Sequence, residues 1–454
     1  SVAVKFAIAI PSNKPVEALR DTQKSIELND NRAIYRSRLL LDEDLAARQA
    51  TLARMYWDLG FQQLALSEGW TSLNADPGNY SAHRLLADSY AAFPNYEVAG
   101  VSELLQAQLL QPLNLNPIKP GMAESDLAVL QRMGAAGPVF NDFTSLLERN
   151  RASVQLNAVA GSNGTLAEDL VISGVRSNLS LALGQSSFQT DGFRTNDDYH
   201  STIYDGFIQL QMTEKTSAQI EMRSRHLSHG DISMRLAEPD PFPADRRSVD
   251  TDTVRLGLRH AFSAGSELIA SWISQDRTET QHVQRVLEDP FFGTLTFNID
   301  GTRSDRSSTT EAEYIGRWDK IRSVAGAGYS DSRGTLTVTS EIIPIFPPDT
   351  TTQNLDVTQQ NAWTYLYLSP VSPLSITVGV SAGDYKRADL EREQVNPKLG
   401  VTWNVLPSTT LRAAAFRVLK KELVTDQTIE PTQVMGFNQF YDDPNATDST
   451  LVGI

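Results

Sequence analysis

The chain has 454 residues, a formal charge of -15 and no cysteine. An acidic chain without a Lys/Arg cluster cannot displace counterions from a phosphate backbone, which excludes nucleic acid as a partner. Zero thiols exclude disulfides, thiolate catalysis and Cys-ligated zinc. With mean hydropathy -0.29 and no apolar run near about 20 residues, a helical membrane span is excluded, whereas a membrane barrel is not, because its strands show only one apolar face.

The opening SVAVKFAIAI lacks the basic, apolar and cleavage segments of a secretory leader: either the leader has been removed or the chain is incomplete at this end. The segment NKPVEALRDTQKSIELNDN reads as a helix with Ala18 and Ser25 at small positions. Compared with itself at an offset of 34 residues, the sequence then aligns Leu52 with Leu86, Ala53 with Ala87, Tyr56 with Tyr90 and Ala65 with Ala99. Pro77 in ADPGN supplies a stop. Small and large residues at this period resemble tetratricopeptide repeats, which stack into a concave protein-binding surface. Residues 1-110 are therefore expected to be an α-solenoid. QPLNLNPIKPG, with three prolines, opens a linker over 111-150, with a short helix expected at AESDLAVLQRM.

From Arg151 the period becomes 2. Ala152, Val154, Leu156 and Ala158 oppose Ser153, Gln155 and Asn157, and Leu374, Ile376, Val378 and Val380 oppose Ser375, Thr377, Gly379 and Ser381. Turns such as TEKTS, SAGSE, WDKI, SPVSP and LPST are tight, while the polar stretches near 229 to 250, 281 to 307 and 335 to 358 read as long loops. This alternation is the habit of outer-membrane barrels, and a soluble sandwich has no reason for it. Trp318, Tyr329, Trp363, Tyr365, Tyr385 and Trp403 fit an interfacial aromatic girdle. Residues 151-454 are expected to form an antiparallel transmembrane β-barrel of about 14 to 16 strands, with the last strand, STLVGI, unfinished. The fold class is thus α + β multidomain: helical repeats, then a barrel in the bacterial outer membrane, with the N-terminal part in the periplasm.

If the apolar faces meet lipid, then Glu221, Arg223, Arg225, Arg255, Arg259, Glu311, Glu313, Arg317, Lys398 and Arg412 face the lumen. Charges of both signs there suit either a wet conduit or a plug held by ion pairs. His226, His229 and Asp231 in RHLSHGD, and the carboxylates of EPDPFPADRR, read as polar loop residues and not metal sites. No catalytic motif occurs, and neither enzyme activity nor a cofactor is expected.

The order of parts resembles outer-membrane proteins in which periplasmic tetratricopeptide repeats precede a barrel, such as the exporters of poly-N-acetylglucosamine and of cellulose. Leu52, Ala53, Tyr56, Ala65 and Pro77 carry one half of the resemblance and the hairpins after 151 the other. It implies a conduit exporting a polymer such as an exopolysaccharide, with outer-membrane lipid around it and a periplasmic or secreted protein on the repeats. The alternative is a non-catalytic outer-membrane anchor that holds a surface filament or partner complex. A TonB-type receptor ranks lower, because the segment from about 112 to 150 is short for a plug domain, although GFNQFYDD after EPTQ is similar to receptor outer loops.

Overall fold

Helices come first in the computed structural model, which describes residues 15–27, 38–90, 96–113, 150–233, 242–318, 320–371, 373–388, 390–406, 409–440, 443 and 446–454. They are α1 (Pro15–Glu27), α2 (Arg38–Asp58), α3 (Gln62–Ala75), α4 (Tyr80–Tyr90) and α5 (Glu97–Leu110). The side chains of Ala18 and Ser25, and the segment expected as a short helix after the linker, lie outside the described residues. Asn79 starts α4 by accepting the N–H groups of Ser81 and Ala82 through its side-chain oxygen, which satisfies two otherwise orphaned donors. Ala50, Leu66, Trp70, Leu73, Ala82, Leu86, Tyr90 and Ala99 form one apolar cluster. Leu52, Ala53, Ala65 and Ala87 are also buried, and the Tyr56 hydroxyl accepts from Gln23.

The α-solenoid reading needs correction. A solenoid leaves a concave surface open, whereas every residue from Ala99 to Leu110 of α5 is buried. The spacing of Leu52, Ala53, Tyr56, Ala65, Leu86, Ala87, Tyr90 and Ala99 reports small-on-large packing between helices, which does not require a repeat array.

The strands are β1 (Arg151–Ala160), β2 (Leu166–Arg176), β3 (Leu179–Thr190), β4 (Tyr199–Thr213), β5 (Thr216–His229), β6 (Arg246–Ser263), β7 (Ser266–Asp289), β8 (Gly293–Trp318) and β9 (Ile321–Ile343). They continue as β10 (Phe346–Asn354), β11 (Val357–Val371), β12 (Leu374–Arg387), β13 (Leu390–Leu406), β14 (Thr409–Lys420), the short β15 (Gln433–Val434) and β16 (Phe437–Asn438), and β17 (Thr447–Gly453). Fifteen of them make one sheet, running in chain order from β1 to β17, with β10 paired to β9 off the main path. All neighbours are antiparallel. Residues of β7, β8, β9, β11 and β14 meet α5 in a single apolar cluster, so the sheet curls around that helix.

Parity sorts the side chains as the alternation requires. Val378 is 44 % exposed and its neighbour Thr377 0 %, and the apolar residues Val154, Leu156, Met222, Leu256, Val395 and Leu399 all face outward. An outer surface this apolar suits hydrocarbon. Trp318, Tyr329 and Trp403 lie on it, but Trp363, Tyr365 and Tyr385 are buried inside, so the aromatic girdle has fewer members than the sequence suggested.

The long polar stretches also differ from expectation. In place of loops at 281–307 and 335–354 there are strands: β7, β8 and β9 run for 24, 26 and 23 residues, against the roughly 9 to 11 that cross a bilayer. TLTFNI and TLTVTS are rich in Thr, Val, Ile and Phe, which favour pleated pairing even in water. The excess forms a β-fin standing above the wall by about 40 Å along the strand direction.

Val378→Arg should lower the stability of the barrel refolded in lipid vesicles by about 2–4 kcal/mol. Unchanged stability in denaturant titrations would contradict a lipid-facing position.

Candidate functional site: a filled lumen

The inner wall is polar, and α5 lies against it. Gly257 allows the approach: a Cβ there would come within 2.6 Å of Leu109 Cδ2. Leu105, Leu109 and Leu110 pack on Ile269, Ile273, Ile315, Tyr365 and Phe416, each leucine contributing about 1.5–3 kcal/mol by burial. The helix's polar atoms are met by the wall. Gln219 donates to the Gln108 carbonyl at 2.6 Å, Gln209 to that of Gln111 at 3.2 Å, and Arg255 to the Gln108 side chain at 2.8 Å.

The ten charged residues picked from the sequence fall into distinct groups. Glu221, Arg223 and Arg255 form one ion-paired cluster with Asp205 on the wall, and Arg225 is buried on the same strand. Arg259 and Arg317 share Glu267, at 2.7 Å each, and Arg317 also donates to Asp76 in the α3–α4 turn at 2.6 Å. Glu311 and Glu313 are buried on β8: Glu313 accepts the Trp363 indole N–H at 2.8 Å, while Glu311 holds residues 428 and 429. Lys398 is buried against Gln439, and the Arg412 guanidinium sits 4.6 Å over the Trp70 ring.

Residues 421–440 were missed by sequence reasoning except for the likeness of GFNQFYDD to an outer loop. After β14 this segment turns down into the lumen as a strap. Thr425 donates to Thr309 at 2.9 Å, and Thr428 Oγ1 and Ile429 N donate to the two Glu311 oxygens, each at 2.7 Å. Tyr365 donates to Glu430 at 2.8 Å and accepts from Gln439 at 2.8 Å. The strap also grips the helices: Thr428 N donates to Ser102 Oγ at 3.1 Å, Thr432 to Glu103, and Asn74 to Met435 Sδ at 3.3 Å. No short motif marks Gln108, Glu103, Asp76, Glu430 or Gln439; a signal lies only in the unusual share of Gln and Glu in the otherwise apolar EVAGVSELLQAQLL.

His83 joins α4 to α5. Its Nδ1 lies 2.5 Å from Glu103 Oε2 and its Nε2 2.9 Å from the Pro77 carbonyl. A carbonyl only accepts, so Nε2 donates to Pro77, and Nδ1 faces the second Glu103 oxygen, an arrangement that favours the protonated ring. Burial works against that charge, but Glu103, the Pro77 carbonyl and Asp76 outweigh it and hold the His83 pKa above its usual value.

Little space remains. A cavity of about 10 Å³ lies between α5 and Arg255, and one of about 30 Å³ lies above the strap between Arg277, Arg303, Tyr385 and Glu422. Neither is wider than a water or two. The loop residues diverge: His226 faces outward to Asp250 at 2.6 Å, His229 stacks on Tyr199, and Asp231 accepts the Phe242 N–H at 2.9 Å. They make no common site. Of EPDPFPADRR, the described part is tied down by Asp245 to Arg285 at 2.6 Å and Arg246 to Asp198 at 2.7 Å.

The wall has known relatives. The family model described as TonB dependent receptor-like, beta-barrel matches residues 177–445. Among solved structures, P. aeruginosa FpvA bound to heterologous pyoverdines is similar with a TM-score of 0.50 at 13 % identity, over 60 % of this chain and 42 % of that one. The FpvAI–pyocin S2 complex gives 0.51 at 12 % identity, over 60 % and 43 %. The chain thus spans less than half the length of these structures, and the likeness is one of fold. No curated protein sequence matches. These findings overturn the resemblance to tetratricopeptide-repeat polysaccharide exporters. α5, which precedes the linker in the chain, already lies against the inner wall.

Arg317→Ala leaves Asp76 and Glu267 buried without their shared cation and should cost about 3–5 kcal/mol in urea unfolding; a change within the error of the titration would contradict the pairing. For His83 the folded pKa is raised, so its stabilising contribution is complete below the usual histidine pKa of about 6.5 and is lost as pH rises through the raised value. Thermal midpoints measured across that window should fall for the native protein more than for His83→Gln. Parallel curves would remove the imidazolium from the account.

Proposed function

Because the chain belongs to the TonB-dependent receptor-like β-barrel family, we propose that it forms the wall and the lumen filling of a gated importer. The barrel sits in the bacterial outer membrane with its N-terminal region toward the periplasm, and the family is one of transporters and not enzymes. The observation that carries the reading is the occupied lumen: α5 and the strap pack and hydrogen-bond against the inner wall, with room for only a water or two in the cavities beside them. A polymer exporter needs a continuous bore, whereas an importer of small solutes needs a seal that opens on demand.

On this reading residues 1-110 are a helical plug, 111-150 its connection and 151-454 the wall. The charged wall residues hold the plug: Arg255 grips Gln108, and Arg317 grips Asp76. A buried ion pair suits this task because it fixes one arrangement yet contributes little net stability when water replaces the partner. The cargo enters from outside, over the strap, where Arg277, Arg303 and Tyr385 line a small cavity together with Asp305, Glu422 and Asp426. For the cargo we take the class that the similar FpvA structure holds, a ferric pyoverdine, and so an iron chelate of the siderophore kind. Opening a filled barrel takes work, so the partner is an energy-coupling protein of the TonB type acting from the periplasm.

Uptake of radiolabelled iron as ferric siderophore, in cells with and without the gene, tests this. The account expects uptake that depends on the gene and collapses on adding a protonophore. Normal iron and metal uptake in the deletion strain, together with lost polysaccharide secretion, would contradict it.

A further inference from the structure

The β-fin above the wall carries a strand edge that nothing in the lumen uses. Up to Ser332, β9 pairs with β11; from Thr335 it pairs with β10 instead. Among the described residues β10 has β9 as its one neighbour, and all nine of its residues are exposed. Beside it the wall stops lower, at the tight connection between Arg387 of β12 and Leu390 of β13. A step results, with a cleft of about 400 Å³ at its root lined by Asp276, Arg306, Arg333 and Asp356.

An unpaired edge normally carries Lys, Pro or a bulge against unwanted pairing. Here Pro347, Pro348 and the register shift protect only the stretch between Phe346 and Asp349. The remaining residues, Asp349 to Asn354, read DTTTQN and keep a regular register with β9. Thr337–Thr352 and Thr339–Thr350 hydroxyl contacts at 3.2 and 2.9 Å hold them straight. The edge is a formed row of amide donors and carbonyl acceptors, and what satisfies such a row is another extended strand.

Charge narrows the partner. In residues 283–300 and 335–354 the acids are Glu288, Asp289, Asp300, Glu341 and Asp349, and the single base, Arg285, is taken by Asp245 and stacked 3.5 Å over Phe242. A second copy of this chain would bring another acidic fin, with no base on its edge to meet Asp349. We propose that the free edge of β10 docks a basic, extended segment of another protein, which adds as a strand beside Asp349–Asn354 in the step above the β12–β13 connection. The site lies outside the lumen and stands independently of the import reading.

Amide hydrogen exchange of residues 349–354 in the detergent-solubilised full-length protein tests the proposal, with a synthetic peptide of alternating lysine and valine as probe. The peptide should slow exchange at these amides by about tenfold or more, and Asp349→Lys should weaken the effect. Neither an alternating glutamate–valine peptide nor the lysine peptide N-methylated along one edge should protect. Unchanged exchange would overturn the proposal, as would equal protection by the N-methylated peptide. So would protection without peptide that grows with protein concentration, which would assign the edge to a second copy.

Discussion

A strand in this wall has to satisfy two solvents at once. Its outward residues meet hydrocarbon, where a charge is costly, and its inward residues are then free to be polar but must find partners if water is excluded. Inward Glu221, Arg255, Glu267, Glu311 and Glu313 are all buried, so something has to occupy the lumen and bond to them. The helices and the strap meet that demand. Gln108 answers Arg255, Asp76 answers Arg317, and Thr428 with Ile429 answers Glu311.

The filling has two parts of different chemistry. α5 is an apolar rod with a few amide and carboxyl side chains, and it relies on close contact, which Gly257 makes possible by having no side chain in the path of Leu109. The strap is polar and relies on hydrogen bonds to wall and helix together. Glu103 sits where the two meet, bonded to His83 on α4 and to Thr432 on the strap. Buried networks of this kind tend to define one arrangement more than they add stability, which suits a seal that is made and broken.

Much of the wall was legible because strand parity is a local signal. Ser375, Thr377, Gly379 and Ser381 alternate with Leu374, Ile376, Val378 and Val380 over one short stretch, and the exposure of Val378 beside buried Thr377 follows from it. The content of the lumen was not legible in the same way. EVAGVSELLQAQLL has the composition of any buried helix, and no spacing within it says that its neighbours lie more than a hundred residues away, at Gln219 and Arg255. The same locality misled the repeat reading, since Leu52 with Leu86 or Ala65 with Ala99 records helix packing without saying what surrounds it. The strands of the fin were taken for loops because polar residues occupy both faces, although Thr, Val and Ile still favour a pleated backbone there.

On the proposed reading the lumen opens by separating parts that now touch, and the strap and α5 meet directly. With no native cysteine in the chain, a Ser102→Cys, Thr428→Cys pair joins them where Thr428 N donates to Ser102 Oγ at 3.1 Å. The decisive measurement is siderophore-bound iron uptake by cells carrying this double variant, before and after reduction. The account predicts a disulfide that forms in the oxidising periplasm, blocks uptake and releases it when reduced. A disulfide that forms while uptake continues at the native rate would contradict it.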